Sequence, residues 1–106
     1  MKINDQELRA EIRKRLFEAH QNRLRGIVLY GSLARGQTTP QSDIDLLVLL
    51  DEPINYGADL ERNIRALYPL SLQIGKRISP KPVAASRYEH LDCPLYINAR
   101  REGIAI

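Results

Sequence analysis

Cysteine is nearly missing from this chain. Cys93 stands alone among 106 residues, so no intramolecular disulfide can form and no Cys/His pattern for zinc exists. No run approaches the roughly 20 apolar residues that span a bilayer, and the longest, Leu46 to Leu50, is strand-sized. The N-terminus carries acidic and basic residues from Asn4 onward and holds no apolar signal-peptide core, which predicts residence in a reducing cytoplasm. Internal repeats, low-complexity tracts and linkers are absent too. So is a strong charge of one sign: 16 Lys and Arg against 13 Asp and Glu leave a formal +3. That surplus suits phosphate-bearing ligands but is too mild to argue for a nucleic-acid partner. Arg13-Lys14-Arg15 is flanked by Glu11 and Glu18 and reads as a solvated helix face.

What is present is 43% apolar and 27% charged, the balance of a soluble globular protein. The length has room for one domain of modest core, expected over residues 1–106.

Asn4 or Asp5 can cap a helix, with Glu7 in a capping-box position. Leu8, Ile12, Leu16 and Ala19 then recur at helical spacing, predicting a helix over about 5–22 that ends near Gly26. Ile27 to Tyr30 reads as a buried strand bounded by Gly26 and Gly31. Residues 32–42 are polar and loop-like. Ile44 to Leu50 is the second strand, followed by a turn through Asp51, Glu52, Pro53 and Asn55. Leu60, Ile64 and Leu67 predict a helix over about 57–68, closed by Pro69. Apolar and polar residues alternate from Leu70, which predicts a strand to Val83 whose Pro80 and Pro82 belong on a sheet edge. Ser86 can cap a short helix to Leu91, Pro94 can start another to about Arg101, and Ile104 and Ile106 can add an edge strand or pack on the core. The order predicts an α/β (α+β) fold, a small mixed sheet flanked by helices.

Two features stand at the mouths of adjacent strands. Gly31-Ser32-Leu33-Ala34-Arg35-Gly36 directly follows the first. Gly31 lets backbone approach a ligand, Ser32 offers a hydroxyl and an N–H where a short helix could begin, and Arg35 can contact a phosphate oxygen. Asp43-Ile44-Asp45 enters the second strand. Carboxylates two apart on a strand share a face, repel one another and call for a cation, and hard oxygen donors suit Mg²⁺. Each feature has a plainer reading: Gly-Ser as a turn, Asp43 as a loop end, Asp45 as an exposed residue on an edge strand. Against the last, Asp45 abuts Leu46-Leu47-Val48-Leu49-Leu50, where a lone carboxylate is costly.

Gly31-Ser32, ten residues, then Asp43-Ile44-Asp45 resembles the signature of the DNA polymerase beta-type nucleotidyltransferase superfamily. The fuller Gly-Ser-Leu-Ala-Arg-Gly and Ser-Asp-Ile-Asp-Leu-Leu-Val resemble its minimal nucleotidyltransferase branch. The resemblance implies the nucleotidyltransferase fold, with Gly31 and Ser32 at the triphosphate and Asp43 and Asp45 as catalytic ligands of two Mg²⁺ ions. It implies transfer of a nucleoside monophosphate, AMP from ATP, to a hydroxyl acceptor. In this branch the acceptor can be a HEPN-type toxin that the transferase neutralises as an antitoxin. The superfamily also has a third carboxylate on a following strand. Residues 70–83 offer Gln73, Lys76, Arg77, Ser79 and Lys81 but no acid; Asp51 and Glu52 come too early, Glu89 and Asp92 later. The competing expectation is therefore a degenerate transferase, a binding module that neutralises a partner without catalysis. Lys76 is a secondary candidate for phosphate contact, the five tyrosines receive no role, and His20 and His90 are expected at the surface.

Overall fold

A computed structural model describes residues 3–31, 43–90 and 93–106. Helix α1 (Asp5–His20) opens on the predicted capping box: the Asn4 side chain accepts from the Glu7 N–H at 2.8 Å and donates to the Glu7 carboxylate at 2.5 Å. It stops earlier than expected, because Gln21 takes a φ of 51° and a 3₁₀ turn (Gln21–Arg23) follows. Strand β1 (Leu24–Tyr30) therefore begins before Ile27 and carries Gly26 within it, at an irregularity in the pairing with β2 (Ile44–Leu50).

Helix α2 (Tyr56–Ile74) corrects the prediction of a strand from Leu70. Pro69 lies inside the helix, although it forfeits one backbone hydrogen bond. Packing decides the matter: Leu67 and Leu70 are both fully buried and Ile74 packs on the same cluster, a helical spacing that no strand reproduces. Gly75, at a φ of 69°, closes the helix as a left-handed cap. Strand β3 (Ile78–Ala84) holds the expected edge position with Pro80 and Pro82. Two short helices, α3 (Ala85–His90) and α4 (Pro94–Glu102), precede β4 (Ile104–Ala105). Ser86 falls inside α3 rather than capping it, and its hydroxyl donates to Glu52 at 2.6 Å.

The sheet order is β3-β2-β1-β4, with β2 antiparallel to β1 and parallel to β3. Ile27, Leu29, Ile44, Leu46, Val48 and Leu50 face α1 and α2. Val28, Leu47 and Val83 face Tyr88 of α3 and Ala99 of α4. Being covered on both sides, β2 reads as a continuous apolar run.

His20 is buried, not superficial. Its Nε2 lies 2.5 Å from the Asn63 side-chain oxygen, and the Asn63 amide donates to the Pro80 carbonyl at 3.0 Å. The contact ties α1, α2 and β3 together. Its Nδ1 meets no partner among the described residues. Asp59 is also buried, at 1% exposure. The Arg23 guanidinium grips it with two bonds of 2.9 and 3.1 Å, and the Asn55 N–H adds another at 3.1 Å. The Arg23 bond holds the Asp59 carboxyl below its ordinary pKa, against burial, which pushes the other way.

Replacing Arg23 with Met leaves a buried charge without its main partner and should cost about 3 kcal/mol near neutral pH in urea unfolding. Because the folded-state pKa of Asp59 is lowered, the pair stabilises the fold above the ordinary carboxylate range and loses that contribution as pH falls through the lowered value. The deficit of Arg23→Met should therefore shrink on acidification. A pH-independent deficit would mean that Arg23 acts through packing alone.

Candidate functional site

Three strands bring their ends to one corner of the sheet. Tyr30 closes β1, Asp45 lies second in β2, and Ser79 lies second in β3. The register sets Asp45 between Tyr30 and Ser79, so the three side chains leave the sheet on one side. Asp43 precedes the strand, whose first residue Ile44 donates its N–H to the Arg77 carbonyl at 2.8 Å. Strand alternation therefore does not reach Asp43. Its charge nonetheless acts on Asp45.

The Asp45 carboxyl is raised above its ordinary pKa, first by burial and second by Asp43. Both causes disfavour the anion. The Tyr30 phenol is raised as well, by burial first, then by Asp45 and Tyr56. The plainer reading of Asp45, an exposed acid on an edge strand, is overturned because β2 is a central strand.

Gly31 is needed for a sharper reason than expected. It adopts a φ of 79°, and a Cβ placed there would lie 2.5 Å from Asp45 Oδ2. The missing side chain makes room for the carboxylate itself. The other two proposed nucleotide contacts, Ser32 and Arg35, lie outside the described residues. Lys76 follows the end of α2, where its N–H and carbonyl are tied to Ser71.

Among the described residues, no three His, Cys, Asp or Glu side chains gather to hold a metal. Asp51 lies at the opposite end of β2, bonded to Arg25 at 2.6 Å. Glu52 accepts from Ser86, Glu89 is exposed on α3, and Asp92 lies outside the described residues. Ser79 occupies the strand position beside Asp45. Sequence reasoning gives Tyr30 no role; its place at the end of the first apolar run, immediately before Gly31, is the available signal.

Residues 9–103 match a family model described as a nucleotidyltransferase domain. "Putative protein adenylyltransferase MJ0604" of Methanocaldococcus jannaschii is 36% identical over 58 residues, 55% of this chain and 58% of that protein. A bifunctional uridylyltransferase/uridylyl-removing enzyme of Pseudomonas entomophila is 39% identical over 54 residues, 49% of this chain and 6% of that enzyme. The matched stretch thus spans little more than half of the first relative and a small part of the second. Among solved structures, a toxin-antitoxin with AMP-PNP aligns at a TM-score of 0.65 and 19% identity, covering 91% of this chain and 69% of that one. A mutant toxin-antitoxin MntA-HpeT aligns at 0.62 and 18% identity, covering 99% and 72%. At these identities the likeness is one of fold.

Two outcomes follow from the packing of Gly31 and Asp45. Gly31→Ala should cost about 1–3 kcal/mol through its left-handed backbone and the collision with Asp45. In a urea double-mutant cycle with Asp45→Ala, the pair should lose less than the sum of the singles; strict additivity would show that the contact does not matter. Because the folded-state pKa of Asp45 is raised, ionising it costs stability as pH rises from the ordinary carboxylate range through the raised value. With divalent cations chelated, Asp45→Asn should melt above the parent protein at neutral pH, and the gain should fade on acidification. A variant less stable at every pH would contradict this.

Proposed function

The chain belongs to the nucleotidyltransferase domain family, and from that premise we propose that it transfers AMP from ATP to a hydroxyl of a partner protein. The observation that carries this reading is the Asp45 carboxylate, half-buried beside Asp43 in space that Gly31 leaves clear. The archaeal relative is named for protein adenylylation, and the aligned structures are toxin-antitoxins, one with AMP-PNP. Both support ATP as donor and a toxin as acceptor, which we take to be of the HEPN type, with this chain as the antitoxin.

Asp43 and Asp45 are the residues that would hold Mg²⁺, since two hard carboxylates whose charges oppose one another suit that ion. Bound there, it would supply Lewis-acid polarisation of the α-phosphate and positive charge against the leaving pyrophosphate. The chain's own contribution is positional. Gly31 admits the Asp45 carboxylate, while Ser32 and Arg35 would hold triphosphate oxygens through hydroxyl, N–H and guanidinium donors. The acceptor hydroxyl gives up its proton to solvent and its oxygen bonds to the α-phosphorus as the bond to the bridging oxygen breaks and pyrophosphate leaves. Ser79, standing beside Asp45 where an acid could have served, favours a second reading, a nucleotide-binding module that neutralises its partner without transfer.

Incubation with ATP labelled on the α-phosphate, Mg²⁺ and the product of the neighbouring gene should label that protein, whereas γ-labelled ATP should not. Asp43→Asn and Asp45→Asn should each lower the rate by at least about a hundredfold. Transfer that survives both substitutions together would place the chemistry elsewhere. No transfer from any nucleoside triphosphate, with the partner still neutralised, would leave the binding module.

A further inference from the structure

Helix α2 shows an apolar stripe that the fold does not use. Tyr56, Leu60, Ile64, Tyr68 and Leu72 recur at every fourth position. Tyr68 is 59% exposed, Ile64 46% and Leu72 65%. The helix buries a different side, through Asp59, Asn63, Leu67 and Leu70, so core packing does not account for the stripe. It forms one wall of a groove of about 750 Å³ whose other wall is the start of β3.

Three properties define what fits there. From Tyr56 to Leu72 the stripe runs about 24 Å at 1.5 Å per residue, a span suited to several turns of a peptide helix rather than to one small molecule. Its four-residue repeat forms a ridge of the kind that another helix packs against. Lys76, Arg77 and Lys81 line the groove, and no carboxylate is among its described lining residues. The groove also reaches Tyr30 and Ser79, the two strand neighbours of Asp45.

We propose that the groove between α2 and β3 docks an acidic amphipathic helix of the acceptor protein, guiding that protein's hydroxyl toward Asp45. The proposal rests on the transferase reading for the delivery, but docking itself needs neither nucleotide nor the carboxylates. A helix with apolar residues on one face meets the stripe, and its acidic flank meets the three cations.

The test uses a fluorescein-labelled helical peptide with leucines along one face and glutamates beside them, together with its lysine-for-glutamate counterpart, read by fluorescence anisotropy. The acidic peptide should bind at low ionic strength and the basic one should not. Ile64→Glu and Arg77→Glu, both on exposed side chains that leave the core intact, should each weaken binding about tenfold. Asp45→Asn should bind the peptide like the parent, so docking is read independently of catalysis; a parent protein that docks the peptide but transfers nothing from any nucleoside triphosphate refutes only the transferase reading. Equal binding of both peptides, no binding, or binding unchanged by both groove substitutions would overturn the proposal. So would competitive displacement by ATP alone, which would make the groove a nucleotide site. A dimer in sedimentation that Ile64→Glu dissociates would overturn it too, by making a second copy the occupant.

Discussion

Strand β2 is covered on both faces and paired along both edges, and this constraint governs the molecule. A strand so enclosed cannot place a polar side chain along its middle without an internal partner. Polar groups can enter only at its ends, and the two ends are treated differently. Asp51, at the far end, is held below its ordinary pKa by its bond to Arg25, with the charge of Arg23 adding to the effect. Asp45, at the near end, is opposed by burial and by a second acid. One end is neutralised by the fold itself. The other is kept at a cost to the fold, the pattern expected where a carboxylate serves chemistry instead of stability.

Asp59 sharpens the contrast. It is the more deeply buried of the two acids, yet its carboxyl is lowered while that of Asp45 is raised. Burial pushes both carboxyls up; at Asp59 the Arg23 bond outweighs it, whereas at Asp45 the neighbouring Asp43 adds to it. Arg23 approaches Asp59 with a two-pronged grip, and the Asn55 N–H and the Arg62 guanidinium add further bonds. Gly31 approaches Asp45 with nothing but backbone. A guanidinium beside Asp45 would satisfy it permanently and leave it no call on a cation.

These differences explain what could be read from the residues alone. Ile44 to Leu50 was legible as a strand because enclosure forces a continuous apolar run, and Pro80 and Pro82 marked an edge because proline cannot donate to a ladder. The Asn4 and Glu7 cap is local chemistry and was equally plain. The fault lay at Leu70 to Ile74, where Leu70, Leu72 and Ile74 alternate like a strand and Pro69 reads as a stop. Tertiary burial of Leu67 and Leu70 overrode both signals, and burial is not written in local spacing. His20 was misplaced for the same reason: its partner Asn63 lies 43 positions away. At the site, Asp43 and Asp45 were visible as a spaced pair. The collision that reserves Gly31 for Asp45 needed the antiparallel register.

The route by which an acceptor could reach Asp45 follows from which surfaces are already taken. On the Asp45 side of the sheet, α3 and α4 pack over Val28, Leu47 and Val83, and Tyr88 stands against Tyr96 with ring centroids 5.8 Å apart. On the opposite side α1 and the inner side of α2 close over the larger core. β1 is flanked by β4, whereas β3 has no strand on its outer edge among the described residues. That edge carries Ser79 next to Asp45 and is bordered by the outer stripe of α2. The same β2–α2–β3 crossover that encloses the central strand thus brings the outer stripe of α2 and the two strand neighbours of Asp45 to one groove.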